Sequence, residues 1–475
     1  MRKIFNILFA LTLVVASSCT YTFPEVESPS AGNADFTKVV AVGNSLTAGF
    51  MNGALYDDGQ SNSYANLVAM QMQQAGGGAF NQPDINAPNG YFGMAGNVVL
   101  GRLHLVGIDN PAPSPIVPGD PITAYSGDRS ALNNFGVPGM RIVDLTYNAY
   151  SSANPYYGRF ASAATATVLG DAAAANGSFI LFWLGSNDVL GYATKGATGS
   201  DSGDGTNPAD MTQVAVFSAA YANAISTLFN GKKGIIANIP NVQDIPYFTT
   251  VAWNSIPMDQ ATADQTNPSY APYNGGLDQA VLGGLITQDE ADLRYIEFAA
   301  GNNGIVIDDG QLTDLTGLGL PSIRMANSND LITLTAGAVL GTLSDPNDPT
   351  SVIGVGDPLG EEYTLTLADQ EAIADRIADF NAVIAAQASD DIVLLDINTT
   401  FADFAQNGTS INGAGMDATI LPPFGAFSLD GIHPNARGYA YVANLFIDKI
   451  NESFGSSIPT VNPNNYSGNE LPVPQ

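Results

Sequence analysis

The chain contains only two histidines, so any serine–histidine chemistry must run through His433 or His104. His433 stands in Asp430-Gly431-Ile432-His433-Pro434-Asn435. An aspartate three residues upstream can, in a turn, hold one imidazole nitrogen and leave the other facing a hydroxyl as general base. His104, in Gly-Arg-Leu-His-Leu-Val-Gly, has no carboxylate close by in sequence and reads as a structural or surface histidine. A matching nucleophile is offered by Gly43-Asn44-Ser45-Leu46-Thr47-Ala48-Gly49, where glycines on both sides of Ser45 permit a tight turn with the hydroxyl at its crest. Alone, that motif is a weak signal and reads more often as an ordinary helix N-cap. Two further turns can supply donors to an oxyanion. Gly185-Ser186-Asn187-Asp188 offers a side-chain amide, and Asn134-Phe135-Gly136-Val137-Pro138-Gly139 offers a glycine N–H with no side chain in the way. A nucleophile, an oriented base and oxyanion donors are together what acyl transfer requires.

Such groups must be carried by elements that converge. VVAV within 36–42, FILFWL at 179–184, GIIANI at 234–239 and IVLLDI at 392–397 are continuous apolar runs, each stopped by Gly43, Gly185, Pro240 or Asn398. Runs of that kind are strands of a parallel sheet buried on both faces. Between and after them lie helical patterns. In 367–386, Ala368, Ile373, Ile377, Phe380 and Ile384 recur along one face, and a closing helix behind Pro434 aligns Ala440, Ala443, Ile447 and Ile450. Strands alternating with helices predict an α/β fold around a mainly parallel sheet. Ligands of open sheets gather at the C-terminal ends of strands, and the four motifs sit near or just beyond such ends. Long stretches rich in Gly, Pro and Asn near 51–130, 191–210 and 247–360 predict ordered insertions or lids, without internal repeats. One domain over 36–452 and a loose tail over 453–475 are expected.

The four motifs resemble, in order along the chain, the blocks of the SGNH (GDSL-like) hydrolases. G-N-S-L-T-A-G is similar to their first block, N-F-G-V-P-G to the second, G-S-N-D to the third and D-G-I-H-P to the last. Asn238-Ile239-Pro240 is similar to a turn of lipase-like members. The resemblance implies a three-layer α/β/α sandwich with Ser45 as nucleophile, His433 as base and Asp430 as its orienter. It also implies Gly139 and Asn187 as oxyanion donors beside the Ser45 N–H. The departure is Asn44 where the family usually has Asp, a residue outside the triad whose oxygen Asn retains. The reaction implied is hydrolysis of carboxylic esters through an acyl-enzyme, with no metal or cofactor. The alternative is a surface glycan- or lipid-binding protein that kept the fold and lost activity.

Composition bounds the partners. Of 475 residues, 45% are hydrophobic, enough for a substantial core, and 45 acidic against 15 basic residues give a net charge of −30. A field of that sign excludes nucleic acid and disfavours anionic lipid surfaces. It also favours neutral short-chain esters, on lipid or glycan carriers, over anionic ones, unless Arg102, Arg129 and Arg141 line the site. The acidic loops Asp201–Asp210 and Asp345–Asp348 lack the spacing of a calcium loop. At the N-terminus, Met1-Arg2-Lys3 precedes an apolar run, Ile4–Ala16, too short to span a bilayer, so 1–18 reads as a signal peptide. Cys19 is the only cysteine, which rules out an intramolecular disulfide. Its context resembles a bacterial lipoprotein signal, implying lipidation of Cys19 and a tether over 19–35. Thr20 follows it, not the Asp associated with inner-membrane retention, so the outer membrane of a Gram-negative bacterium is expected.

Overall fold

The computed structural model describes residues 28–108 and 111–472; the signal segment and Cys19 lie outside the described residues. Five strands form the central sheet: β1 (Val39–Gly43), β2 (Asn134–Gly136), β3 (Phe179–Trp183), β4 (Lys233–Ala237) and β5 (Ile392–Leu395). All pairings are parallel, in the order β5-β4-β3-β1-β2. In this doubly wound order the winding reverses between β1 and β3, and a crevice opens there at the C-terminal edge.

The apolar runs are strands because both sheet faces are covered. Every residue of β1 and β3 is buried. Val40, Val42, Ile180, Phe182 and Ile236 point into one core, and Val39, Ala41, Phe179, Leu181, Trp183 and Ile235 into the other, as the two-residue strand period requires. The main helices are α1 (Ser45–Ala48), α2 (Tyr64–Gln74), α3 (Asn187–Ala193), α4 (Val214–Leu228), α5 (Gln260–Leu282), α6 (Leu367–Ala385), α7 (Ile397–Asn407) and α8 (Ala436–Phe454). α4 and α6 cover the first face through Phe217, Tyr221, Ile377 and Phe380, and α2 and α8 the second through Tyr64, Val68, Phe446 and Ile450. Thus the layers are α/β/α. α6 opens with a capping box between Thr366 and Asp369, and Asn435 caps α8 by accepting the Gly438 N–H at 3.1 Å.

The insertions are ordered. Residues from 51 to 130 supply α2 and two antiparallel hairpins, Gly93–Ala95 with Val98–Leu100 and Leu103–Val106 with Ala112–Pro115. Residues from 247 to 360 build a separate core around α5, including Leu277, Phe298, Val306 and Leu359. In it Arg324 pairs with both Asp309 and Asp330, each at 2.6 Å.

Two expectations about the ends need correcting where residues are described. The tail is docked, not loose: Ile458 and Val461 are buried against α8. Asn444 exchanges two hydrogen bonds with the Val461 backbone, at 2.9 and 2.8 Å, and Asn451 does the same for Ile458. The expected tether is likewise pinned from Ser30 onward, with the Asn33 N–H donating to the Phe454 carbonyl at 2.8 Å. Prolines and asparagines suggest flexibility, but helix side-chain amides satisfy this backbone one group at a time. No helix among the described residues is long and apolar enough to cross a membrane.

Candidate active site

The crest that carries Ser45 depends on close approach. A Cβ at Gly43 would stand 2.1 Å from Thr47 Oγ1, and one at Gly136 2.4 Å from the Ala48 nitrogen, so α1 fits over the sheet only because both are glycine. Buried Asn44 caps α1, its Oδ1 accepting the Leu46 N–H at 3.0 Å. The oxygen that Asn shares with Asp therefore holds the turn, which accounts for the departure from the family pattern. Ser45 is the first residue of α1, where a backbone N–H has no intrahelical acceptor.

Ser45 and His433, 388 residues apart, meet at 2.8 Å between Oγ and Nε2. His433 Nδ1 lies 3.0 Å from Asp430 Oδ2. With Nδ1–H donated to the carboxylate, Nε2 is left as the acceptor for the serine hydroxyl. Asp430 is held by more than the histidine ring. Its Oδ1 accepts the Ile432 and His433 backbone N–H groups at 2.9 Å, and its Oδ2 accepts the Gly53 N–H at 2.8 Å. Burial pushes this carboxyl up, but the His433 ring and the backbone donors pull it down to about 2, so it is ionised at neutral pH. Gly431, at φ +72°, makes the turn between the two residues, and a Cβ there would meet the Tyr247 nitrogen at 2.9 Å. The Phe50 ring flanks His433 at a centroid distance of 4.9 Å.

Gly139 follows β2 and Asn187 opens the helix after β3, the two strands on either side of β1, which leads into Ser45. Gly139 has φ +80°, is exposed, and its N–H has no intramolecular acceptor among the described hydrogen bonds. Asn154 holds the turn by donating to the Pro138 carbonyl at 2.8 Å. Asn187 Nδ2 donates one hydrogen to the Met140 carbonyl at 3.0 Å, and its other hydrogen has no acceptor among the described residues. Hydrogen bonds thus join Ser45, His433 and Asp430, and the strand order sets Gly139 and Asn187 beyond the two strands that border β1.

Other candidates go elsewhere. Arg141 pairs with Asp144 at 3.2 Å inside the protein, and Arg129 donates to the Tyr125 and Arg159 carbonyls. Arg102 stacks on Tyr56 at 5.1 Å and, with His104, lines a separate polar cavity. These three arginines do not join the Ser45 site; their partners are backbone, a carboxylate and a ring that no local pattern foretells. Asn238 ties β4 to β5, donating to Asp396 at 2.8 Å and accepting the Asn398 N–H at 2.9 Å. Pro240 after it joins Leu46, Trp183, Phe404, Ile432 and Pro434 around an apolar cavity whose walls include the chain neighbours of Ser45 and His433.

Sequence reasoning misses the supports. Asn52, at φ +54°, donates its N–H to Ser428 Oγ and accepts the Leu429 N–H, both at 2.9 Å, so with Gly53 it braces the Asp430 loop. The Asn-Gly pair just beyond the serine motif is the available signal. Asp188 reads in the sequence only as part of a turn; it is fully buried.

An open parallel sheet with a hydrogen-bonded serine, histidine and aspartate at its switch point is the architecture of a hydrolase. The chain belongs to the GDSL-like Lipase/Acylhydrolase family, whose model matches residues 39–446. No curated protein gives a significant match to the chain.

Proposed function

We propose that this protein hydrolyses carboxylic esters through an acyl-enzyme on Ser45. The observation that carries this reading is the continuous chain from Asp430 through His433 to Ser45, at 3.0 and 2.8 Å. Ser45 Oγ attacks the ester carbonyl as its proton passes to His433 Nε2, while the Asp430 carboxylate steadies the imidazolium. The N–H groups of Ser45, Gly139 and the Asn187 amide receive the oxyanion. His433 then protonates the departing alkoxide, and water repeats the sequence to release the acid. The chemistry uses a hydroxyl, a base and backbone donors, and calls on no metal or cofactor.

The apolar cavity beside Leu46 and Ile432 supports an acyl group as the part of the ester held by the protein. The net charge of −30 favours neutral esters, on lipid or glycan carriers, over anionic ones. Lipidation of Cys19 would hold the enzyme at the outer membrane, the only membrane contact proposed. The test of the central reading is fluorophosphonate labelling together with turnover of a p-nitrophenyl ester. The protein should be labelled at Ser45 and turn the ester over, and Ser45→Ala should lose both. A Ser45→Ala protein that keeps its turnover would refute it and leave the inactive-binder reading or another site.

A further inference from the structure

Asp188 directly follows Asn187 and has no solvent exposure. Its Oδ2 accepts the Ile142 N–H at 3.0 Å, and its Oδ1 accepts the Thr212 hydroxyl at 2.9 Å. The Thr212 N–H returns to the Asp188 carbonyl at 3.0 Å. Ile142 ends the short loop that contains Gly139 and Met140, and Met140 is the residue whose carbonyl receives the Asn187 amide. Residues 187 and 188 therefore grip one loop at two points two residues apart, and that loop carries Gly139.

We propose that Asp188 is a positioning residue that fixes the Gly139 N–H and the Asn187 amide relative to one another. It acts through the loop and does not touch the ester. The inference rests on the ester-hydrolase reading of the same site. Its physical basis is the cost of a backbone N–H left without an acceptor in the interior: without Asp188, the Ile142 N–H must move toward water and take the loop with it. The charged groups facing Asp188 are Arg141 and Asp144, which already satisfy each other at 3.2 Å. The Thr212 hydroxyl can donate to a carboxylate or accept from a carboxylic acid. An oxygen facing Ile142 is therefore required, and a charge is not.

The experiment compares Asp188→Ala, Asp188→Asn and Asp188→Ala/Asn187→Ala in the full chain, using p-nitrophenyl ester turnover and affinity for a boronic acid transition-state analogue. Asp188→Ala should lower kcat by about 10- to 100-fold with little change in KM, the scale of a small misplacement of aligned groups. Affinity for the boronic acid should fall by the same factor. Asp188→Asn, which keeps an acceptor for Ile142 and a donor for Thr212, should stay within about threefold of the parent on the same readouts. In the Asn187→Ala background the Asp188→Ala loss should shrink markedly, because both act on the same oxyanion contacts. An Asp188→Ala loss that is fully additive with Asn187→Ala, or that falls on KM, would overturn the proposal. If Asp188→Ala does not fold, Ile142→Pro removes the same hydrogen bond from its other end. Ile142 opens a short helical turn behind Arg141 at ψ 170°, a backbone that accepts proline. If the chosen ester is not a substrate, which would count against the ester-hydrolase reading alone, the rate of fluorophosphonate labelling at Ser45 carries the same comparison.

Discussion

Replacing Asp188 by asparagine should make the protein more stable at neutral pH while leaving its stability in mild acid nearly unchanged. Burial pushes the Asp188 carboxyl from its ordinary 3.8 up to about 7. The native state therefore keeps this proton over roughly three pH units in which the unfolded chain has lost it, and stability falls as pH rises across that window. At about 1.4 kcal/mol per unit the loss amounts to about 4 kcal/mol, present in full above pH 7 and absent below the unfolded value. The amide introduced by Asp188→Asn does not titrate, and it can keep both side-chain hydrogen bonds, at 3.0 Å to Ile142 and 2.9 Å to Thr212 in the parent. The difference in stability between variant and parent should then grow by about 3 kcal/mol between about pH 4.5 and about pH 7.5. Urea unfolding followed by tryptophan fluorescence measures it, because Trp183 is buried in β3 and reports the sheet. All other titrating groups cancel in the difference. A gap that does not change with pH would show that Asp188 is not held neutral by burial, and the reasoning would fail.

Asp430→Asn should lower kcat by about 10⁴, since an amide facing Nδ1 favours the wrong imidazole tautomer; p-nitrophenyl ester kinetics with intact near-UV circular dichroism test it. Asn187→Ala should lower kcat by about 10²–10³ with KM little changed, and an unchanged kcat would remove Asn187 from the oxyanion contacts while leaving the triad standing. Cys19→Ser should shift the protein from the membrane to the soluble fraction, and equal membrane retention would refute the anchor. Of two matched esters, the neutral one should have the higher kcat/KM, with the preference shrinking as salt screens the field; faster hydrolysis of the anionic ester at low salt would show that local charge governs the crevice.

Much of the site is legible because its pieces are local. Asp430 and His433 are three residues apart in one glycine turn, and Ser45 and Asn187 each stand immediately beyond an apolar run. Four of the five strands announce themselves as such runs. β2 does not, because Asn-Phe-Gly is three residues long at a sheet edge, and only its pairing with Ala41–Gly43 makes it a strand. Asn52 and Gly53 are invisible for a related reason: their partners, Ser428, Leu429 and Asp430, lie about 377 residues away in the chain. The tail misleads because its proline- and asparagine-rich composition says nothing of Asn444 and Asn451 waiting on α8.

By itself, then, the sequence determined four of the five strands, the helices at 367–386 and behind Pro434, and the residue types of the chemistry, since hydrophobic period and glycine placement act within a few residues. Only the tertiary structure decided which distant backbone groups brace Asp430, where the arginines go, and that Asp188 ties the Gly139 loop to Asn187. Those choices depend on which buried N–H and carbonyl groups come to face one another after the chain has closed, and no local pattern carries that information.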